Sequence, residues 1–296
     1  MVGFTASLGA MSTVAIITDS AASLPPALAK KWGIIVVPLQ VIVDGVSYRE
    51  GEEITHAEVL RHLEAGRRVS TSQPSVAAFE AAYAQAAELG ASAAVAVLIS
   101  SGMSGTVSAA RTAAAGASIP VEVVDTGTLA MATGYAAVAA SAYAAQGADM
   151  RAMADRAIFV ASSALCVFTV DSLVYLKRGG RVSSTTAAIG MALNMRPVMQ
   201  IEDGKVAIID RVRSTSRARA TMLDHVNRRI SQLSHPAAAI MALGEEQYGN
   251  VAALLVENRH PELSMLVRTP VSAVLAAHTG PGTLAAVVVD LPDIGN

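Results

Sequence analysis

The chain has 296 residues, of which 52% are hydrophobic and only 16% charged. That length and balance fit a folded protein of more than one domain and exclude a disordered chain. A net charge of −2 offers no electrostatic footprint for a polyanion such as nucleic acid.

The single cysteine, Cys166, lies in the apolar run Leu165-Cys166-Val167-Phe168. A disulfide framework is therefore excluded, and a buried thiol is expected. Residues 1–12 lack the basic start of a secretory signal and read as an extension, with Met11 a candidate start. The greasiest stretch, 134–145, is mostly alanine and too short to span a bilayer. A soluble, cytoplasmic protein is expected.

In chain order, Val14-Ala15-Ile16-Ile17 reads as a short buried strand that ends in Thr18-Asp19-Ser20. A helix over 25–32 follows, with proline near its start, and then a β-branched run over 34–43. Residues 93–99 and 121–124 read as further strands. Each leads into an alanine-rich helical stretch, 106–117 and 127–145. Such alternation predicts a largely parallel sheet covered by helices.

From about Cys166 the texture changes. Lys177-Arg178-Gly179-Gly180 has the basic residues and glycines of a helix end, and Ser183 is placed to cap a helix running to Asn194. Strands over 198–201 and 205–210 flank Asp203-Gly204, a hairpin signal. Helices are expected over 217–233 and near 248–258, and strands over 238–243, 271–277 and 284–289. These elements predict a mixed second sheet. The expected domains are 13–160 and 161–292, with the boundary near 150–165; no solenoid repeat is visible.

Ser100-Ser101-Gly102-Met103-Ser104-Gly105-Thr106 follows a strand and opens a helix. Backbone N–H groups at such a turn are unpaired, and the helix dipole favours an anion. Ser104 reads either as an N-cap or as a hydroxyl donor to that anion; the flanking small residues and hydroxyls favour the anion. Ser70-Thr71-Ser72-Gln73-Pro74-Ser75 is a second hydroxyl-dense loop, able to cap a helix through Ser72 or Ser75 or to supply another donor.

Arg178 and Arg181 flank a glycine pair, which lets a guanidinium approach a ligand closely or simply ends a helix. Arg211, Arg213, Arg217 and Arg219 read mostly as a solvated face. His278, in His278-Thr279-Gly280-Pro281-Gly282, is expected at an exposed strand end. The remaining histidines lack metal-ligand spacing, so no metal site is expected.

Taken in order, these motifs resemble the DegV family: Thr18-Asp19-Ser20-Ala21, Thr71-Ser72-Gln73-Pro74-Ser75, Ser101-Gly102-Met103-Ser104-Gly105-Thr106, Arg178-Gly179-Gly180-Arg181 and His278-Thr279-Gly280-Pro281-Gly282. The resemblance covers about 13–291. It implies a two-domain α/β fold with an interdomain tunnel that binds one long-chain fatty acid, as in the fatty-acid-binding subunits of bacterial fatty acid kinase. It places the carboxylate on Thr71 and Ser104, with Ser72, Gly105 and His278 beside them. It assigns Arg181, Arg213 and His278 to kinase docking and phosphoryl transfer. The chain departs from the family at Val107, where tyrosine is common, and in its N-terminal extension.

A lipid carrier needs adaptable apolar walls, and Met191, Met195 and Met199 are candidates for them. No cofactor beyond the bound acid is expected, and transient contact with a membrane surface is compatible with this reading. The competing reading is a serine hydrolase acting on acyl esters, with the chain order Ser104, then Asp171 or Asp210, then His278. A nucleophile elbow wants glycine two residues on each side of the serine, and Thr106 stands at the second position. No Walker A or dinucleotide fingerprint is present, so ATP would be bound by a separate kinase.

Overall fold

A computed structural model describes residues 14–182, 195–244, 246–292 and 294. Its first sheet is made of β1 (Val14–Asp19), β2 (Ile35–Val37), β6 (Ala93–Leu98) and β7 (Val121–Asp125), in the order β2-β1-β6-β7 and parallel throughout. Strands in such a sheet are buried on both faces, which is why they read as continuous apolar runs. Ile17, Ala94, Ala96 and Leu98 pack beneath α3 (Val76–Glu88) and α4 (Thr106–Ala114). Ile16, Val95 and Val97 point the other way, towards α5 (Met131–Ala145) and α6 (Met150–Ser162).

The second sheet has six strands: β8 (Leu165–Thr169), β9 (Arg196–Glu202), β10 (Lys205–Val212), β11 (Pro236–Leu243), β12 (Met265–Pro270) and β13 (Thr283–Asp290). Their order is β10-β9-β8-β13-β11-β12, with only β11 and β12 parallel. Its outer face carries α8 (Thr215–Ile230) and α9 (Glu246–Arg259). Its inner face shares one core with α5, α6 and the first sheet. Because α5 is enclosed between two sheets, it is apolar all round instead of on one stripe. The buried Tyr135 hydroxyl of α5 donates to the Ala238 carbonyl on β11. Among the described residues no helix is long and apolar enough to cross a membrane.

A third, antiparallel sheet, β4-β3-β5, joins β3 (Gln40–Val43), β4 (Val46–Arg49) and β5 (Val69–Ser72). The remaining described helices are α1 (Pro26–Lys31), α2 (His56–Glu64), α7 (Val174–Arg178) and α10 (Ala273–Thr279).

The expected parallel sheet, the mixed second sheet and the Asp203-Gly204 hairpin are all present. Five readings need correction. The run over 34–43 is two strands in different sheets, because Pro38 has no N–H to continue a ladder. The helix expected over 127–145 begins only at Met131. The strand expected over 271–277 is helix α10, started by Ser272, whose hydroxyl accepts from the Leu275 N–H. The hydroxyl-rich stretch around Thr71 is strand β5, and only Gln73, Pro74 and Ser75 form the loop. Met199, a candidate wall for a lipid cavity, instead packs into the core from β9, the strand expected there. Met191 and the helix expected from Ser183 to Asn194 lie outside the described residues.

Candidate functional site

Between the two large sheets lies a mostly apolar cavity with an open mouth. Its walls come from every layer: Ile99 after β6, Ala130 before α5, Cys166 and Phe168 on β8, Met241 on β11, and Val274 on α10. The β9–β10 hairpin adds Ile201 and Val206. Methionine lines it through Met103 and Met241, not through Met199. Cys166 is buried as expected, and burial pushes its thiol up to about 12. Ala130 holds φ 55° and ψ −150°, a strained conformation nearly confined to glycine, at the turn into α5.

The polar groups gather at the mouth. Thr71, at the end of β5, meets His278 across the cavity, with Oγ1 and Nε2 2.7 Å apart. The Nδ1 edge of the His278 ring abuts Gly179, where a methyl group would sit 2.0 Å from Nδ1. That glycine ends α7 with an ordinary φ of −74°, so it serves close approach and not backbone freedom. Arg181 donates from Nη1 to the Gly179 carbonyl at 2.5 Å and from Nε to the Met103 carbonyl at 3.3 Å. The α7 turn, α10 and the loop after β6 therefore converge on one point.

His278 is at the last turn of α10 and largely buried, not at an exposed strand end. Burial, reinforced by the Arg181 charge, pushes its pKa down to about 4, so the ring is neutral at physiological pH. A neutral ring has one N–H. Nδ1 is buried without a partner among the described residues, so a proton there would be an unsatisfied donor. The proton belongs on Nε2, donated to Thr71, and the Thr71 hydroxyl is left to donate to whatever enters the cavity.

Ser104 stands opposite, ahead of α4. The helix cap is Gly105, without a side-chain hydrogen bond, so Ser104 does not cap. Its hydroxyl lies 2.8 Å from that of Thr106 and lines the cavity. The first N–H groups of α4 open beside it, with no acidic side chain in the first turn. The other loop is divided in role: Ser75 caps α3, whereas Ser72 lines the cavity and donates to the Gln73 carbonyl at 3.2 Å.

The geometry thus brings together Thr71, Ser72, Ser104, Arg181 and His278, whereas Gly105 lies outside the cavity walls, in a neighbouring surface pocket that shares Ser104. It does not bring Arg213 to them; that residue is exposed just beyond β10 and outside the cavity walls. Gln73, inside the hydroxyl-rich motif, also lines the cavity, and its side-chain amide lies over Gly105, whose missing Cβ makes room for it. No group of three or more metal-ligating side chains occurs among the described residues.

A mostly apolar cavity whose hydrogen-bond donors gather at its mouth has the make-up of a site for an amphipathic molecule. Comparison with known proteins gives this a family. The model described as "Uncharacterised protein, DegV family" matches residues 13–291, and the chain belongs to that family. A DegV domain-containing protein of Streptomyces coelicolor is 37% identical over 275 residues, which cover 93% of this chain and 98% of the relative. Among solved structures, a DegV family protein from Thermus thermophilus, described for its fatty acid binding, superposes with a TM-score of 0.87 at 30% identity. That match covers 94% of this chain and 99% of the other. A hypothetical protein from Thermotoga maritima, said to reveal a fatty acid binding function, matches with a TM-score of 0.81 at 26% identity, covering 94% and 99%.

Proposed function

We propose that this chain binds one long-chain fatty acid, acyl tail in the cavity and carboxylate at Thr71 and Ser104. The observation that carries the reading is the division of the cavity: apolar along its length, with hydroxyls, a neutral histidine and Arg181 gathered at the mouth. Each buried methylene contributes about 0.8 kcal/mol, so the tail supplies affinity while the hydroxyls fix the orientation. The likeness to structures described as fatty acid binding supports the same ligand class. The cavity lies between segments 13–160 and 161–292, which we take as the two domains.

In the finer form of the reading, the chain presents the carboxylate to a separate fatty acid kinase for acyl-phosphate formation. The family resemblance supports this, as does Arg181 standing at the mouth beside His278. Arg213, outside the cavity, is then a docking residue for the partner.

The hydrolase alternative asks for a carboxylate on His278. Asp210 instead pairs with His225 at 2.6 Å, and Asp171 lies against Gly282. With Nε2 engaged by Thr71, the ring has no free base directed at Ser104, so a fluorophosphonate probe is expected to leave Ser104 unlabelled.

The deciding experiment is native mass spectrometry of the purified protein, followed by solvent extraction of the denatured chain. One fatty acid per chain is expected. An empty cavity in protein from lipid-replete cells would refute the reading. Kinase coupling is tested separately: the chain alone turns over no ATP, and acyl-phosphate forms only with an added fatty acid kinase, less so for Arg181→Ala.

A further inference from the structure

Two carboxyl groups, Asp19 and Glu50, lie buried behind the site without touching the cavity. Glu50 follows β4, and its side chain crosses to α10. One of its oxygens accepts the Val274 N–H at 2.8 Å, and the Ser272 hydroxyl and Ala273 N–H also act on this carboxylate. The first N–H groups of a helix have no partner within the helix. Here the acceptor comes from a residue 224 positions away.

The other Glu50 oxygen takes the hydroxyl of Ser20. Ser20 in turn accepts the Leu39 N–H at 2.9 Å, and its neighbour Asp19 accepts the Ile99 N–H at 2.8 Å. Ile99 immediately precedes the loop that carries Ser104. Val274 and His278 are one helical turn apart, and both face the cavity. Buried and part-buried hydrogen bonds, joined through the backbone between Asp19 and Ser20, therefore link the root of the Ser104 loop to the first turn of the helix that carries His278.

We propose that Glu50 is a positioning residue of the acid site: its carboxylate fixes the first turn of α10 so that His278, one turn further on, meets Thr71. The inference rests on the fatty-acid reading of the cavity for its binding consequence, but not for the placement of the ring. Burying a carboxylate is costly unless donors converge on it, and the donors that converge here come from both sides of the cavity.

Glu50→Gln keeps the shape of the side chain and turns one acceptor oxygen into a donor, which faces either the Val274 N–H or the Ser20 hydroxyl. Release of a fluorescent long-chain fatty acid is expected to quicken about tenfold. In the His278→Ala background the same substitution adds nothing to release. In ligand-free, 15N-labelled protein the His278 ring signals leave the Nε2–H tautomer position. Val256→Ala, behind the second sheet, provides a stability-matched control in which those signals stay in place. If Glu50→Gln does not fold, Glu50→Asp withdraws the carboxylate by one methylene and gives the same two readouts. An equal effect in both backgrounds, or unchanged ring signals, overturns the proposal. Should the wild-type chain hold no fatty acid, the fatty-acid reading fails, while the ring signals still decide the positioning role.

Discussion

Thr71 and His278, 207 residues apart in the chain, meet with Oγ1 and Nε2 at 2.7 Å. The contact joins the end of a strand in the small antiparallel sheet to the last turn of α10, which packs against that same sheet and against α2 and α7. Because the imidazole is neutral and donates through Nε2, the Thr71 hydroxyl is oriented before any ligand arrives. Such preorganisation lowers the entropic cost of binding a carboxylate.

Removal of either hydroxyl at the mouth should therefore weaken retention. A hydrogen bond to a charged group contributes about 1.5–3 kcal/mol, or roughly 10–100-fold in Kd. Thr71→Val and Ser104→Ala are each expected to fall in that range while leaving the fold intact, since neither hydroxyl caps a helix. Fatty acid titration alongside thermal unfolding separates the two effects. An unchanged Kd in both variants would remove the carboxylate from this end of the cavity.

The place of Gly179 gives a sharper test of the histidine. Alanine suits its backbone, so the only penalty of Gly179→Ala is the collision of the new methyl with Nδ1 of His278. Overpacking of this kind costs about 1–3 kcal/mol and should expel the ring from Thr71. In a His278→Ala background the collision is gone, and the double variant should unfold at a higher temperature than Gly179→Ala alone. If the two substitutions are additive in Tm, the ring does not rest on Gly179.

Much of this fold was legible because buried parallel strands announce themselves as apolar runs, and because Asp203-Gly204 encodes its own turn. The errors fell where one residue outweighed composition. Pro38 divided a β-branched run between two sheets, and Ser272 converted an apolar stretch into α10. The candidate residues Thr71, Ser104 and Arg181 were legible as local motifs of hydroxyls, glycines and arginine. Their meeting was not, because it depends on how three sheets pack. Nor was the burial of His278, which follows from the misread α10 and from the absence of a side chain at Gly179.

The pH dependence of stability should carry two opposed contributions. Burial pushes Asp19 from 3.8 up to about 7, backbone hydrogen bonds from Ile99 and Ala21 hold it down, and the Glu50 charge raises it. Between those values the folded chain keeps a proton that the unfolded chain releases, so this contribution is full below 3.8 and lost as pH rises to about 7. His278 has the reverse sign: its folded pKa of about 4 lies below 6.5, so stability is lost as pH falls through that window. Thermal unfolding from pH 4 to 7.5 checks both. The Tm of Asp19→Asn should gain on the wild type as pH rises, and that of His278→Gln should lose ground. Parallel curves would show that neither group is held as described.

The depth of the cavity offers a test that does not involve its polar mouth. Strand β8 runs from Leu165 towards α7, whose end carries Gly179 and the histidine contact. Cys166 is therefore further from the mouth along that strand than Phe168, and both side chains face the cavity. A larger side chain at Cys166 should shorten the space left for an acyl tail without touching the carboxylate contacts. Cys166→Leu is expected to shift the co-purified acids towards shorter chains. Each methylene no longer accommodated lowers affinity by about 0.8 kcal/mol, roughly fourfold. Mass spectrometry of extracted ligands from the two proteins, expressed in the same cells, reads the shift directly. An unchanged acid profile with undiminished occupancy would mean that the tail takes another course past β8.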